Sequence, residues 1–366
     1  MRKGVTPVPP RDAFAKSEAK EWAEENFRGV CNVIIPSFTV DLSGLNEAGI
    51  RHDVRRNAEL GFWGALLVSE AGTTPEEMRT FMEIAVDEAK GSQYFLLHGS
   101  FDSLDDTIEC ARDARAIGVD GLLVAYPNSF YPTTAAELGE YTRALCEKTD
   151  LAVVLFCAPH YNFERLDPSG FPLEVWHELV DQPNAVALKY EVGHPGVVGS
   201  WQVFSEFAGR GVLVCDPYEP NLLMWDDLYG TPWIGTSNYE YYGDTVVRYL
   251  AAQREGRREE ALRLYWQIQP ARQAREALRA QAAGANFNHR YLWKYQAWLQ
   301  GYNGGPIRAP AMKLTDAQMR RAAEGLVASG LLDATPPSFA PFFEGRNPAC
   351  RSGGFRSGLE RVRPEG

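Results

Sequence analysis

PNAVALKYEVG, residues 183–193, runs four apolar residues, Ala185, Val186, Ala187 and Leu188, straight into Lys189. A short unbroken apolar run reads as a strand buried on both faces, the pattern of parallel sheets covered by helices. Lysine is costly to bury and rarely sits inside a protein without a partner or a task. The segment raises two questions: which sheet holds this strand, and what Lys189 does at its end.

Seven further apolar runs share the pattern. They are VCNVIIPS (30–37), GALLVSE (64–70), YFLLHGS (94–100), GLLVAYP (121–127), AVVLFCAP (152–159), VLVCDP (212–217) and TPWIGTS (231–237). With AVALKYE (185–191) they make eight. Most gaps between them hold an amphipathic helix. In TTAAELGEYTRALCEKT, Leu138, Tyr141, Thr142 and Leu145 fall on one helical face. Strand–helix alternation predicts parallel strands with crossover helices, and eight units predict a closed (β/α)8 TIM barrel rather than an open sheet. The gap between the seventh and eighth runs is short, so unit seven is the least marked. The expected organisation is an N-terminal extension and helix over 1–29, the barrel over 30–255, a C-terminal helical region over 256–332, and an extended or disordered tail over 333–366. A helix at about 314–332 has Thr315 as its N-cap.

The 366 residues carry 48 acidic and 37 basic side chains, a net charge of -11, which argues against nucleic-acid or anionic-membrane partners. Six cysteines, at 31, 110, 146, 157, 215 and 350, form no CxxC pair and show no metal-ligand spacing, so a reducing compartment is expected and no metal site. The start has basic residues but no apolar segment of a secretory signal, and no apolar run approaches membrane-spanning length, so the expectation is a cytoplasmic protein with no membrane partner.

Barrel enzymes place their chemistry at the carboxyl ends of the strands. Those ends offer Ser37, Glu70, Thr73, Thr74, His98, Tyr126, Phe156, Lys189, Glu191, Asp216 and Thr236. Desolvation favours the neutral amine, so an interior lysine can attack a ketone and form a Schiff base, an electron sink. The plainer reading is a lysine that snorkels out or pairs with Glu70 or Glu191. EAGTTPEE (70–77) is a strand-to-helix turn whose hydroxyls and helix-start N–H groups suit a carboxylate. It also suits plain capping, with Thr74 as N-cap, Pro75 at N1 and Glu77 at N3.

Together these residues resemble the dihydrodipicolinate synthase / N-acetylneuraminate lyase superfamily, over roughly residues 28–260. Four places carry the resemblance in order: VIIPSF, GTTPE (with Pro75 where glycine is usual), FCAPHY and VALKYEVG. The resemblance implies a class I aldolase-type lyase in which Lys189 forms an imine with an α-keto acid such as pyruvate. Thr73 and Thr74 then bind the acid's carboxylate, and the backbone at Ile234 lies near it. It implies no metal and no organic cofactor, and a homo-oligomer, tetramer or dimer. The KY after the lysine and NFNHRYLWKYQ (286–296) point toward the hydratase-aldolase branch. The aromatic-rich loops YPNSFYP, PHYNF, DPYEPNLLMW and TPWIGTSNYEYYG suit a flat substrate or subunit contacts.

One position departs from the family pattern. The strand-5 tyrosine that relays protons falls on Phe156, and its neighbouring asparagine on Cys157. Replacement candidates are His160, Tyr161, Tyr131, His98 or a bound water, although loop or core packing explains each side chain equally well. Three functions stay open: a lyase cleaving or forming a C–C bond on pyruvate or a substituted, aromatic pyruvate; a dehydratase of a deoxy keto acid using the same imine; and a non-catalytic keto-acid binder.

Overall fold

The computed structural model describes residues 14–192, 197–284 and 289–349. Residues 286–288 of the aromatic motif, Cys350 and the rest of the C-terminal tail lie outside them, as do 1–13. In chain order the elements begin α1 (Ala19–Asn26), β1 (Gly29–Ile34), α2 (Glu47–Glu59), β2 (Gly64–Leu67), α3 (Pro75–Ala89), β3 (Tyr94–Gly99), α4 (Leu104–Ile117) and β4 (Gly121–Val124). They continue α5 (Ala135–Lys148), β5 (Ala152–Cys157), α6 (Leu173–Leu179), β6 (Ala185–Tyr190), α7 (Val197–Phe207), β7 (Leu213–Cys215), α8 (Leu222–Tyr229), β8 (Trp233–Ile234) and α9 (Thr245–Arg254). The C-terminal region adds α10 (Arg258–Gln267), α11 (Gln269–Gly284), α12 (Arg290–Leu299), α13 (Asp316–Ala328) and α14 (Ala340–Glu344).

The eight strands form one parallel sheet in the order β7-β6-β5-β4-β3-β2-β1-β8, a nearly closed TIM barrel with alternating helices and C-terminal helices after it. Each apolar run of the sequence yields one strand. The ladder breaks off before Pro36, Pro127, Pro159 and Pro217, which have no N–H to give it. Strands β2 to β6 are buried along their whole length, as their uninterrupted apolar runs require. Gly64 opens β2 where no side chain fits: a Cβ there would lie 2.2 Å from the Tyr94 carbonyl oxygen.

The chain divides into two compact units. The first holds the strands, α1 and α4 to α8. Its amino end is plugged by aromatic rings. Phe27, after α1, meets Trp63 and Trp233 edge-on at 4.7 and 5.2 Å, and Trp63 stacks on Tyr94 at 4.7 Å. Trp63, Tyr94 and Trp233 lie at the starts of β2, β3 and β8, so α1 packs on the bottom of the barrel and the carboxyl ends remain for chemistry. At the seam, Cys215 of β7 donates its thiol to the Gly235 carbonyl just past β8, at 3.0 Å. In α5 the predicted face of Leu138, Tyr141, Thr142 and Leu145 is buried.

The second unit holds the segments after β1 and β2, with α2, α3 and α9 to α14. Every residue of α12 is buried, including Arg290 and Lys294, so it is a core helix with polar groups that need partners. Thr315 caps α13 in a reciprocal box with Gln318. The segment read as an extended tail holds a short helix, α14, because Phe342 is fully buried against Tyr295 and Trp298 at 5.0 and 5.9 Å.

Candidate active site

Lys189 is the penultimate residue of β6. Its register partners are Phe156 on β5 and Cys215 on β7. The side chain is only 4% exposed. Its ammonium donates to the Thr236 carbonyl at 3.0 Å and the Thr236 hydroxyl at 3.4 Å, and pairs with a Glu191 carboxylate oxygen at 2.9 Å. The Phe156 ring lies beneath it, 4.2 Å from nitrogen to ring centroid. Three acceptors and a π-face therefore surround one buried cation, which replaces much of the water it has lost. The lysine does not snorkel; its carboxylate partner is Glu191.

The neighbours of Lys189 divide into chemical and structural groups. Burial pushes the Cys215 thiol up to about 12, so it packs as a neutral group rather than competing as a nucleophile. Asp216, next along, accepts from the Tyr218 amide, Asn221 and the Trp225 indole at 2.8 to 2.9 Å, and from Ser200 at 3.4 Å. Those bonds fix the loop that leads into α8. Burial still raises its pKa above the ordinary carboxylate value. Ile234 pairs with Val30 in the β1–β8 ladder and is fully buried. Two residues further on, Thr236 delivers its carbonyl to the lysine.

The candidate proton carriers of this unit are scattered. Tyr161 lies edge-on to Phe156 at 5.7 Å within an aromatic cluster that includes Tyr126 and Phe163. His160 packs beside the Tyr161 ring, and His98 is buried in β3. Tyr131 is 68% exposed and stacks under the Arg165 guanidinium at 3.7 Å.

In the second unit, Thr74 caps α3 as its sequence predicts: the Glu77 amide donates to the Thr74 hydroxyl at 3.2 Å and Glu77 accepts from the Thr74 amide at 3.2 Å. Arg308 clamps this turn, donating to the Gly72 carbonyl at 3.0 Å and pairing with Glu77 through both guanidinium nitrogens. Glu70 pairs with Arg290, whose guanidinium also lies over the Trp293 ring at 4.4 Å. A second buried lysine, Lys294, donates to the Pro36 carbonyl at 2.6 Å, the Ser37 hydroxyl at 3.3 Å and the Ile35 carbonyl at 3.4 Å. Burial pulls it down to about 8, against the favourable charge of Asp53. Asp53 accepts from the Asn303 amide at 2.6 Å and from Ser37, and burial raises its pKa.

The chain matches the model of the dihydrodipicolinate synthetase family over residues 27–287. It belongs to that family. Among relatives of this family member, 4-hydroxy-tetrahydrodipicolinate synthase of Methanopyrus kandleri is 30% identical over 38% of the chain, and N-acetylneuraminate lyase of Pasteurella multocida is 26% identical over 46%. These matches span 48% and 57% of the two relatives' own lengths. A prophage protein of the dihydrodipicolinic acid synthase family from E. coli K12, solved in complex with pyruvate, shares the fold at a TM-score of 0.69 and 20% identity, covering 83% of this chain and 99% of that one.

A reading of strand ends names Glu191 and Thr236 in this family member without giving either a role, and misses others altogether. Glu191 stands two residues after Lys189, and the period of two on a strand places both on one face; that signal was present but suggested only an ion pair. Thr236 carries no signal beyond its place after β8. Arg290, Lys294 and Arg308 lie more than 200 residues from their partners, where no local pattern reaches.

Proposed function

We propose that the protein is a Schiff-base-forming lyase acting on an α-keto acid such as pyruvate or a substituted pyruvate. The observation that carries this reading is Lys189: an amine 4% exposed at the carboxyl end of a barrel strand, over an aromatic ring and held by three acceptors. Its nitrogen condenses with the keto group, and the resulting iminium takes up the electron pair when the neighbouring C–C bond breaks. Thr73 and Thr74 are assigned the acid's carboxylate. The Thr74 hydroxyl accepts from the Glu77 amide and donates to the Glu76 carboxylate, so a keto-acid carboxylate would take the place of Glu76 there. The Ile234 backbone is assigned the place beside the keto acid, and Phe156 supplies apolar surface, which with the aromatic loops favours an aromatic or hydrophobic substituent on the substrate. The chemistry needs no metal or organic cofactor. Incubation with pyruvate and borohydride should add a reduced pyruvyl group to Lys189 by intact-mass and peptide analysis. No adduct with any of a panel of keto acids would sink the proposal.

Phe156 supports a second reading, a non-catalytic keto-acid binder, because the ring beneath the ammonium has no proton to give. That reading expects ligand-dependent thermal stabilisation without turnover. A dehydratase using the same imine is separated by its products, which keep the carbon skeleton intact. A homo-oligomer is supported by exposed Val197, Val198 and Trp201 on α7 and Leu228 on α8. A cytoplasmic location is consistent with the acidic charge; among the described residues no helix is long and apolar enough to cross a membrane.

A further inference from the structure

We propose that Glu191 is the acid and base of the imine chemistry, carrying the protons that a tyrosine at position 156 would carry. The inference rests on the Schiff-base reading of Lys189 and adds a second catalytic residue to it. Its carboxylate oxygen lies 2.9 Å from the Lys189 nitrogen, within direct proton-transfer reach of the reacting atom. The Glu191 amide donates to the Cys157 carbonyl at 3.2 Å, so the β5–β6 ladder continues one residue past β6 and fixes the backbone beneath this side chain. The backbone that carries the carboxylate is therefore tied to β5 at the residue just after β6.

Exposure separates the two partners usefully. The Glu191 side chain is 27% exposed and that of Lys189 4%, so the carboxylate touches both the buried amine and solvent. A group so placed can pass a proton between the site and water. The other neighbours of the nitrogen are poorly suited to that task. The Thr236 carbonyl only accepts, its hydroxyl is a very weak acid, Phe156 has no exchangeable proton, and the Cys215 thiol is spent on the Gly235 carbonyl.

The proton count closes. Glu191 accepts one proton from the ammonium, the freed nitrogen lone pair attacks the keto carbon, and a second proton passes from that nitrogen to the keto oxygen to give a neutral carbinolamine. The C–O bond then breaks, the oxygen leaves as water with the proton returned by Glu191, and the nitrogen lone pair closes the C=N bond. An ammonium with three hydrogens and a ketone have become an iminium with one hydrogen and one water. In the lyase direction Glu191 next takes the proton of the substrate hydroxyl, the C–C pair moves into the iminium to give an enamine, and the proton returns to the terminal carbon. Hydrolysis by water then releases pyruvate and the lysine.

The test follows two readouts on the full chain. Exchange of the pyruvate methyl hydrogens in deuterium oxide, followed by NMR, reports enamine formation. Borohydride trapping after long incubation reports the imine alone. Wild type should show both. Glu191→Gln, checked for folding by thermal melting, should reach the wild-type extent of trapping while exchange falls by about 100-fold or more. Glu191→Ala should lose exchange equally and regain it with added formate, a response that a merely structural role would not produce. Exchange in Glu191→Gln within about threefold of wild type would overturn the proposal. So would a folded Glu191→Ala that traps pyruvate but ignores formate, or folded variants with neither adduct nor exchange, since the carboxylate would then serve only to place the lysine. Absence of an adduct in wild type would instead remove the Schiff-base reading itself.

Discussion

Replacing Lys294 by methionine tests a deeply buried charge of the second unit. The ammonium satisfies the Pro36 and Ile35 carbonyls and the Ser37 hydroxyl, and its charge opposes the burial of Asp53. Methionine fills similar volume but leaves those acceptors and the carboxylate unanswered. Each buried acceptor left without its donor costs about 1–3 kcal/mol. The titration gives an independent sign. Folding lowers the Lys294 pKa from 10.5 to about 8. Between those values the unfolded chain binds more protons than the folded one, so this lysine's contribution to stability grows as pH rises and is lost as pH falls through 8. Its full size is about 3 kcal/mol, from roughly 1.4 kcal/mol for each pH unit.

Urea denaturation at pH 7.0 and again near pH 9.5 reads both effects, as choices of buffer on either side of the folded pKa. Lys294→Met should be less stable than wild type at the lower pH, and the difference should widen at the higher one; buried thiols with raised pKa values weaken both proteins there and cancel in the comparison. Asp53→Asn in the same background should restore part of the loss, because no buried carboxylate then remains without its cation. Lys294→Met with wild-type stability at neutral pH, together with a difference that does not widen at the higher pH, would refute the reasoning.

Phe156→Tyr should raise turnover or methyl exchange by about tenfold or more if proton supply limits the wild type; an unchanged rate would favour the binder. Thr74→Ala should cost about 1 kcal/mol of stability through loss of the capping box and raise KM for the keto acid, whereas Thr74→Ser should preserve both, read by melting and steady-state kinetics. Gly64→Ala should destabilise by more than about 2 kcal/mol, since its Cβ would lie 2.2 Å from the backbone oxygen of Tyr94, which a thermal melt would register.

The barrel was legible because each strand is buried on both faces, and such burial leaves a contiguous apolar run in the chain. AVVLFC and AVALKY could be read individually; β7 and β8, with three and two ladder residues, were legible only through the count of eight. The lysine was legible because charge at the end of a buried strand is improbable by composition. Its carboxylate partner was half legible, since the i+2 spacing put Glu191 on the right face without saying what it does. The clamp of Arg308 on Gly72 and Glu77 was not legible at all, because it depends on a chain return across 231 residues. The same holds for Lys294, whose surroundings are strand-end carbonyls that any residue would provide.

The hydrogen-bond count at Lys189 bears on how the proposed site would change during a turnover. An ammonium has three N–H groups, and the structure supplies three acceptors: two atoms of Thr236 and one of Glu191. An iminium nitrogen has one hydrogen. Covalent attachment of a keto acid therefore leaves two of the three acceptors without their donor, next to the new substrate atoms. A carbonyl so released can only accept, and the Thr236 hydroxyl can donate. Glu191 can take a proton and give it back. The arrangement that holds the resting lysine is thus the one that presents a base to the substrate once the bond has formed. Phe156 fits this division: its ring steadies positive charge on nitrogen through its π-face in both the ammonium and the iminium, while proton movement is left to Glu191.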